Sequence, residues 1–189
     1  TDAGVLVTRA DVDIVVEVIG GVTGTRELVL RAIGAGKHVV TANKALLADC
    51  APEIFSAASE TSVGVAYEAA VAGGIPAIRA IREGLVANNL RGLYGIVNGT
   101  SNYILSEMTE FGTPFSDVLA AAQAKGYAEA NPALDVDGED AAHKLCVLTA
   151  CAYGLHVGSD SIFREGIGHL EPQDIWYARE LGFVIKPLA

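Results

Sequence analysis

"DIVVEVIGG", residues 13–21, is an almost continuous run of apolar, mostly β-branched side chains that ends in two glycines. A run of this kind is typical of a strand in a parallel sheet that is covered on both faces. Two further runs of similar character follow, "KHVVTANK" at 37–44 and "SVGVAY" at 62–67. Residues 25–36 and 45–59, which lie between these runs, have the apolar content and length of helices. The order therefore predicts strands that alternate with helices.

Alternating strands and helices imply right-handed crossovers and a partial doubly wound, Rossmann-type parallel sheet in an α/β protein. The pattern changes in the second half of the chain. "RGLYGIVNGT", residues 91–100, predicts a strand that ends in a turn, and "SNYILSEMTEFG", residues 101–112, predicts a helix begun by Ser101. We therefore expect a parallel-sheet domain over residues 1–67 and an α+β domain over residues 68–189.

The glycine-rich fingerprint GxGxxG, which joins the first strand of a dinucleotide-binding sheet to its helix, is absent from the sequence. "GAGKHV", residues 34–39, comes close but has Val39 where the third glycine belongs. It also joins a predicted helix to a predicted strand, which is the wrong order for a phosphate cradle. We therefore expect the chain to lack the first βαβ unit of its sheet.

Composition and charge argue against several classes of function. The chain has 189 residues, of which 51% are hydrophobic, and a formal net charge of -10. Because Lys and Arg form no cluster, binding to nucleic acid or to anionic membrane surfaces is not expected. No apolar stretch reaches the roughly 18 to 20 residues that span a bilayer, and the first residues lack the basic start of a signal peptide. We expect a cytoplasmic protein.

The cysteines and histidines give no sign of a metal site. Cys50, Cys146 and Cys151 have no CxxC spacing, and the last two lie in an apolar helical pattern, which favours reduced, structural thiols. The four histidines have no HxxxH or HxxE spacing. A transition-metal site is therefore not expected.

A charged pair stands out in the apolar segment "DVDGEDAAHKLCVLTACAYG", residues 135–154. Lys144 follows Asp140 by four residues, and the same helical stripe continues with apolar side chains. One interpretation is an exposed, weakly stabilising ion pair. The other is a lysine in a partly desolvated cleft, held by Asp140 and able to exchange a proton. Glu129 and Asp135 could add carboxylates for a cationic group, so a cleft of this kind would suit a zwitterionic amino acid.

A second lysine, Lys44, follows the predicted strand at 37–44. Ligands of open α/β sheets bind beyond the carboxyl ends of the strands, so Lys44 would project toward a bound cofactor and substrate. Gly20 and Gly21, at the end of the preceding strand, would let a cofactor approach the backbone closely. A solvated lysine and a simple turn are the alternatives at these positions.

"YEAAVAGG", residues 67–74, places Glu68 before small residues and two glycines. The chain could bend there so that backbone carbonyls converge on a hard monovalent cation beside the carboxylate. The alternative is a domain crossover with a capping glutamate.

At these residues the sequence resembles homoserine dehydrogenase, an NAD(P)-dependent family of the branch toward threonine, methionine and isoleucine. The resemblance covers almost the whole chain, and its longest motif joins the loop before Lys144 to the helix that carries it. The motifs are "VVEVIGG", "GKHVVTANKALL", "YEAAVAGGIPAI", "GIVNGTSNYIL", "AKGYAEANPALDVDGEDAAHKL" and "FREGI".

The resemblance implies hydride transfer between nicotinamide and the substrate, which is homoserine or aspartate 4-semialdehyde. It implies that Lys144 is the acid/base residue and Asp140 its orienting partner, with Lys44 close to nicotinamide and substrate. The remaining implied residues bind ligands: Glu129 and Asp135 the substrate, Gly20, Gly21, Lys44 and Gly126 the NADP or NAD, and Glu68, Val71, Gly73 and Ile75 a sodium or potassium ion. It further implies a homodimer formed through the substrate domain.

The sequence departs from the family at both ends, where the phosphate loop and the last strands of the substrate domain are missing. We therefore expect an internal fragment that binds NAD(P)H weakly by itself. Two alternatives stay open. The chain could be an inactive fragment or interaction module, or it could belong to another two-domain amino-acid or semialdehyde dehydrogenase. An acylating enzyme would need a nucleophilic cysteine in a polar loop, whereas Cys146 and Cys151 fall in an apolar helix.

Overall fold

The first half of the chain forms a parallel sheet with helices between its strands in the computed structural model, which describes residues 2–189. The strands are paired in the order β1-β2-β3, with Ile14 beside His38 and Val39 beside Val65. The predicted alternation of strands and helices is therefore confirmed. In chain order the elements are α1 (Ala3–Leu6), β1 (Ile14–Glu17), α2 (Thr25–Gly34), β2 (His38–Thr41), α3 (Lys44–Thr61) and β3 (Val65–Ala66).

Strand β1 is shorter and more exposed than its apolar run predicts. It ends at Glu17 because the carboxylate of Glu17 accepts the N–H groups of Ile19 and Gly20, which are then unavailable for pairing with a neighbouring strand. The expectation that both faces are covered is wrong for β1. It lies at the edge of the three-stranded sheet, and the side chain of Val16 is 63% exposed.

The second half of the chain is mainly helical in the described residues. A 3₁₀ turn at Glu68–Ala70 leads into the short helix α4 (Ala77–Arg79), which continues as a π-helical turn at Ala80–Gly84. The later helices are α5 (Gly99–Phe111), α6 (Phe115–Ala124), α7 (Ala133–Val136), α8 (Glu139–Tyr153) and α9 (Pro172–Glu180), with a 3₁₀ turn at Ser159–Ser161 before α9.

The strand predicted at residues 91–100 does not form. Residues 91–98 belong to no helix or strand, and Gly95 exchanges two backbone hydrogen bonds of 2.9 Å with Ala189. A strand needs a partner along its length, and this single residue pair does not supply one. The helix expected to begin at Ser101 begins at Gly99 instead, because the side chain of Asn98 accepts the N–H of Ser101 and caps the helix.

The chain divides into two compact units. One contains the residues up to Leu90 together with His143–Ser161, and the other contains Arg91–Ala142 and Ile162–Ala189. The core of the first unit packs α2 and α3 against the sheet through Val29, Ile33, Val39, Leu46 and Ile54. The core of the second gathers α5, α6 and α9 around Ile104, Leu105, Met108, Val118 and Ile175. No helix within residues 2–189 is long and apolar enough to cross a membrane.

Helix α3 ends at an exposed serine that adopts a left-handed conformation, and this gives a stability prediction. Ser62 has φ 57° and ψ 33°, a region that glycine occupies without steric cost. We expect Ser62→Gly to raise the free energy of unfolding of the chain by about 0.5 to 1 kcal/mol in urea titrations. Ser59→Gly, one turn earlier inside the helix, is the matched control and should lower it by a similar amount. Equal effects of the two substitutions would contradict this account.

Candidate functional site

The carboxyl ends of β1 and β2 lie side by side, with Glu17 paired to Thr41. Beyond them, Gly20 and Gly21 form a turn with φ values of 84° and 71°, and half-buried Lys44 is the first residue of α3. No atom outside the immediate chain neighbours lies within 4 Å of the position that a Cβ would occupy at either glycine. A flat ligand can therefore approach this backbone, which fits the predicted cofactor edge.

Glu17 is a buried residue of this edge that the sequence reasoning missed. Its side chain is 4% exposed, and one carboxylate oxygen accepts the N–H groups of Ile19 at 2.8 Å and Gly20 at 3.1 Å. The other oxygen accepts the hydroxyl of Thr41 at 2.6 Å. The turn predicted to border the cofactor is thus fastened to the end of strand β1.

The turn after β3 contains the predicted cation ligands. Both oxygens of Glu68 accept backbone N–H groups at 2.9 Å, from Ile78 and Arg79, so the carboxylate caps α4. The backbone bends sharply between them, with Ala72 at φ 50° and Gly74 at φ 82°. A cation bound by Glu68 would therefore have to share the carboxylate with the first turn of α4.

The other predicted ligands of that turn, Val71, Gly73 and Ile75, would offer backbone oxygens. Residues 2–189 contain no group of three or more His, Cys, Asp and Glu side chains placed to hold a metal. A cation in this turn would thus depend on carbonyl oxygens in addition to Glu68. That donor set is of the hard type that suits a monovalent ion.

Lys144 lies in helix α8 and is half-buried. The stripe that it shares continues into the core as Val147 and Leu148, each 4% exposed. The helix begins at Glu139, which places two acidic residues, Glu139 and Asp140, in its first turn. Lys144 therefore lies on a helix face that is buried one turn later.

Two of the predicted carboxylates, Asp135 and Asp140, are joined by an asparagine. The side-chain nitrogen of Asn98 donates to Asp135 at 2.7 Å and to Asp140 at 2.8 Å. Its oxygen accepts the N–H of Ser101 at 2.7 Å, which fixes the orientation of the amide because an N–H cannot be accepted by the NH₂ group. Asn98 is 4% exposed and Asp140 7%. The bridge is therefore buried at Asp140 and half-buried at Asp135.

Two further predicted residues, Glu129 and Gly126, do not take part in this bridge. Glu129 is exposed, and its backbone carbonyl accepts from Gln123 at 3.0 Å. Gly126 ends the turn after α6 with φ 75°. Ser101 adds a further link, because its hydroxyl donates to the carbonyl of Asp135 at 2.8 Å. The structure thus brings Asp135 and Asp140 together and leaves the side chain of Glu129 in solvent.

The three thiols are structural. All are free, as expected from their spacing, and Cys146 is 2% exposed. Burial raises the pKa of the Cys146 thiol, and the charge of Asp49 adds to this effect. Burial likewise raises the pKa of Cys151, and burial followed by the charge of Asp49 raises that of Cys50. None of the three has the environment that generates a nucleophilic thiolate.

Both halves of the chain match known protein families. The family model described as homoserine dehydrogenase matches residues 76–189, and the model of the homoserine dehydrogenase NAD binding domain matches residues 1–68. The chain belongs to the homoserine dehydrogenase family. A relative named homoserine dehydrogenase from Pseudomonas aeruginosa is 59% identical over 178 residues, which are 94% of this chain and 41% of the relative.

Solved homoserine dehydrogenases share the fold. A crystal structure from Thiobacillus denitrificans superposes with a TM-score of 0.97 at 54% identity, covering 100% of this chain and 44% of that one. A hyperthermophilic archaeal homoserine dehydrogenase in complex with NADPH superposes with a TM-score of 0.83 at 30% identity, covering 91% of this chain and 53% of that one. The chain therefore spans between 41% and 53% of the length of these three homoserine dehydrogenases. The α/β fold class with an NAD binding part is confirmed.

Proposed function

We propose that this chain carries the chemical centre of an NAD(P)-dependent homoserine dehydrogenase, which interconverts L-homoserine and L-aspartate 4-semialdehyde. The observation that carries the proposal is the bridge from the buried Asn98 to Asp135 and Asp140, in a chain of this family. The amide of Asn98 brings two carboxyl groups together without adding a positive charge of its own, which suits recognition of an amino acid's ammonium group. Lys144 follows on the same helix as Asp140.

The proposed roles follow from these positions. Lys144 exchanges the proton of the reacting oxygen, and Asp140, four residues earlier in α8, orients its ammonium group. Asp135 and Glu129 bind the substrate, with Asp135 held by Asn98 and Glu129 reaching from an exposed position. We propose that residues 1–67 belong to the cofactor domain and residues 68–189 to the substrate domain.

The proton balance assigns a direction to each step. When semialdehyde is reduced, hydride adds to its aldehyde carbon and the oxygen becomes an alkoxide, which Lys144 neutralises by donating a proton. When homoserine is oxidised, Lys144 removes the hydroxyl proton as hydride leaves the same carbon. A positioned acid or base of this kind contributes about 10² to 10⁴ in rate.

The cofactor proposed for this chain is NADP or NAD, which supplies or accepts the hydride when bound. Gly20 and Gly21 would let it approach the backbone, Lys44 would lie beside its reacting end, and Gly126 would border it from the turn after α6. The open space at the two sheet glycines and the match to an NAD binding domain support this assignment.

Four finer assignments accompany the main proposal. We propose a sodium or potassium ion held by Glu68, Val71, Gly73 and Ile75, supported by the sharp turn at these residues. We propose a homodimer, a cytoplasmic location without nucleic-acid or membrane partners, and a place in threonine, methionine and isoleucine biosynthesis. The net charge of -10 supports the absence of polyanionic partners.

The alternative of an acylating semialdehyde dehydrogenase lacks a nucleophile here. Such an enzyme forms a thioester on a reactive cysteine. Cys146 is buried, and burial raises the pKa of its thiol. The second alternative, an inactive fragment or interaction module, predicts that the chain supports no oxidation of homoserine.

A chimera tests the proposed function. In it, this chain replaces the matching 178-residue segment of the Pseudomonas aeruginosa homoserine dehydrogenase. We expect homoserine-dependent reduction of NADP or NAD at 340 nm, with turnover within about tenfold of the parent enzyme, because the chain supplies every proposed chemical group. The parent enzyme is the positive control. A chimera that folds and binds NADPH but does not oxidise homoserine would rule out the proposed function.

A further inference from the structure

Glu17 has no role in the proposed reaction, yet its carboxyl side chain is only 4% exposed. Its only partners among the described residues are three neutral donors, which are the N–H groups of Ile19 and Gly20 and the hydroxyl of Thr41. Burying a carboxylate is costly unless donors surround it, so a residue of this kind needs a reason. Val or Ile would fill the end of an apolar strand without that cost.

Thr41 extends the network to the next strand. Its hydroxyl gives its single proton to Glu17 at 2.6 Å, and its oxygen accepts the N–H of Asn43 at 3.0 Å. The side-chain nitrogen of Asn43 donates to the carbonyl of Gly21 at 2.6 Å, while its oxygen accepts the N–H of Leu46 at 3.1 Å. The direction of each hydrogen bond in this network is therefore fixed.

The consequence is a glycine turn that is held by four hydrogen bonds from three side chains. Glu17 binds the N–H groups of Ile19 and Gly20, Thr25 donates to the carbonyl of Gly20 at 3.1 Å, and Asn43 holds the carbonyl of Gly21. Because two successive N–H groups point at Glu17, they are not available to a phosphate. The turn differs in this respect from an anion-binding nest, in which such groups face the ligand.

We propose that Glu17, Thr41 and Asn43 are positioning residues that hold the Gly20 turn and Lys44 in place for the nicotinamide end of the cofactor, which carries no phosphate. Asn43 connects the two, since it binds Gly21 and also caps the helix whose first residue is Lys44. If this surface is ordered before the cofactor binds, the binding free energy is not weakened by the entropic cost of ordering it. This inference rests on the proposed function and adds residues that never touch the reacting atoms.

The test compares two substitutions of Thr41 in the chimera. Thr41→Val keeps the shape of the side chain but removes the hydroxyl, whereas Thr41→Ser keeps the hydroxyl. We expect Thr41→Val to weaken NADPH binding about tenfold in a fluorescence titration, because the cofactor must then order the Gly20 turn as it binds. KM for homoserine should stay within about twofold, and Thr41→Ser should bind NADPH within about twofold of the unsubstituted chimera.

Thr61→Val is the matched control, because the hydroxyl of Thr61 binds only carbonyls within its own helix. It should leave NADPH binding unchanged. A purely structural role for Thr41 would lower the melting temperature and leave the dissociation constant at its original value, and that result would overturn the inference. So would a Thr41→Ser variant that binds as weakly as Thr41→Val. Since NADPH binding is measured without substrate, a chimera inactive toward homoserine would contradict the proposed function and still decide this point.

Discussion

Replacing Lys144 by alanine in the chimera is expected to lower the turnover of homoserine by about 10² or more, with KM for homoserine changed less than about threefold. A group that transfers a proton only in the transition state contributes to turnover and hardly to ground-state binding. Lys144 is half-buried on a helix face that continues as Val147 and Leu148. Its substitution can therefore act through lost packing of the side-chain methylene groups or through the lost amino group, and the two effects are tested separately. Initial rates at 340 nm across a substrate series give both constants.

Two controls sharpen this prediction. Lys144→Met keeps much of the length of the side chain without its proton, and it should be as inactive as Lys144→Ala. Lys37→Ala removes a lysine one residue before the start of β2, at the opposite end of that strand from Lys44, and should keep full turnover. If Lys144→Ala stays active while Lys44→Ala does not, the acid/base role belongs to Lys44.

The sequence predicted the sheet well and the ends of its strands poorly. The apolar runs identify β1, β2 and β3 in their order because β-branched, apolar side chains favour strands. They do not show where a strand stops, since that depends on tertiary hydrogen bonds. Strand β1 stops at Glu17 for such a reason, inside a run that continues to Ile19. The segment around Gly95 does not form a strand, because it pairs with a single residue, Ala189, and not with another strand. That residue lies nearly a hundred positions away in the sequence.

The candidate site was predictable where function resides in a local motif. Asp140 and Lys144 follow each other on one helix, and Gly20 and Gly21 end one strand, so spacing and family resemblance together point to them. Asn98 was missed because its partners are 37 and 42 residues away in sequence. A signal was present, since an asparagine before an apolar helical pattern is a favoured cap. Its second task, bridging two carboxylates, has no local signature.

Replacing Asn98 by alanine is expected to lower the free energy of unfolding of the chain by about 2 to 4 kcal/mol. The substitution removes a helix cap and two hydrogen bonds to charged groups, and it leaves Asp135 and Asp140 without the donor between them. Urea titration measures the loss. In the chimera we also expect turnover to fall roughly tenfold or more, since Asp140, the proposed orienting partner of Lys144, loses a contact that fixes its position.

Asn98→Asp separates capping from bridging. Aspartate caps a helix as well as asparagine does, so the N–H of Ser101 keeps its acceptor. The bridge, however, becomes a third carboxylate facing Asp135 and Asp140, and like charges at hydrogen-bond distance repel. We therefore expect Asn98→Asp to destabilise the chain at least as much as Asn98→Ala, whereas Asn88→Ala, at an exposed asparagine, should change stability by less than about 0.5 kcal/mol. An Asn98→Asp variant with full stability and turnover would mean that Asn98 acts only as a cap, and the proposed substrate cluster would then lose the residue that assembles it.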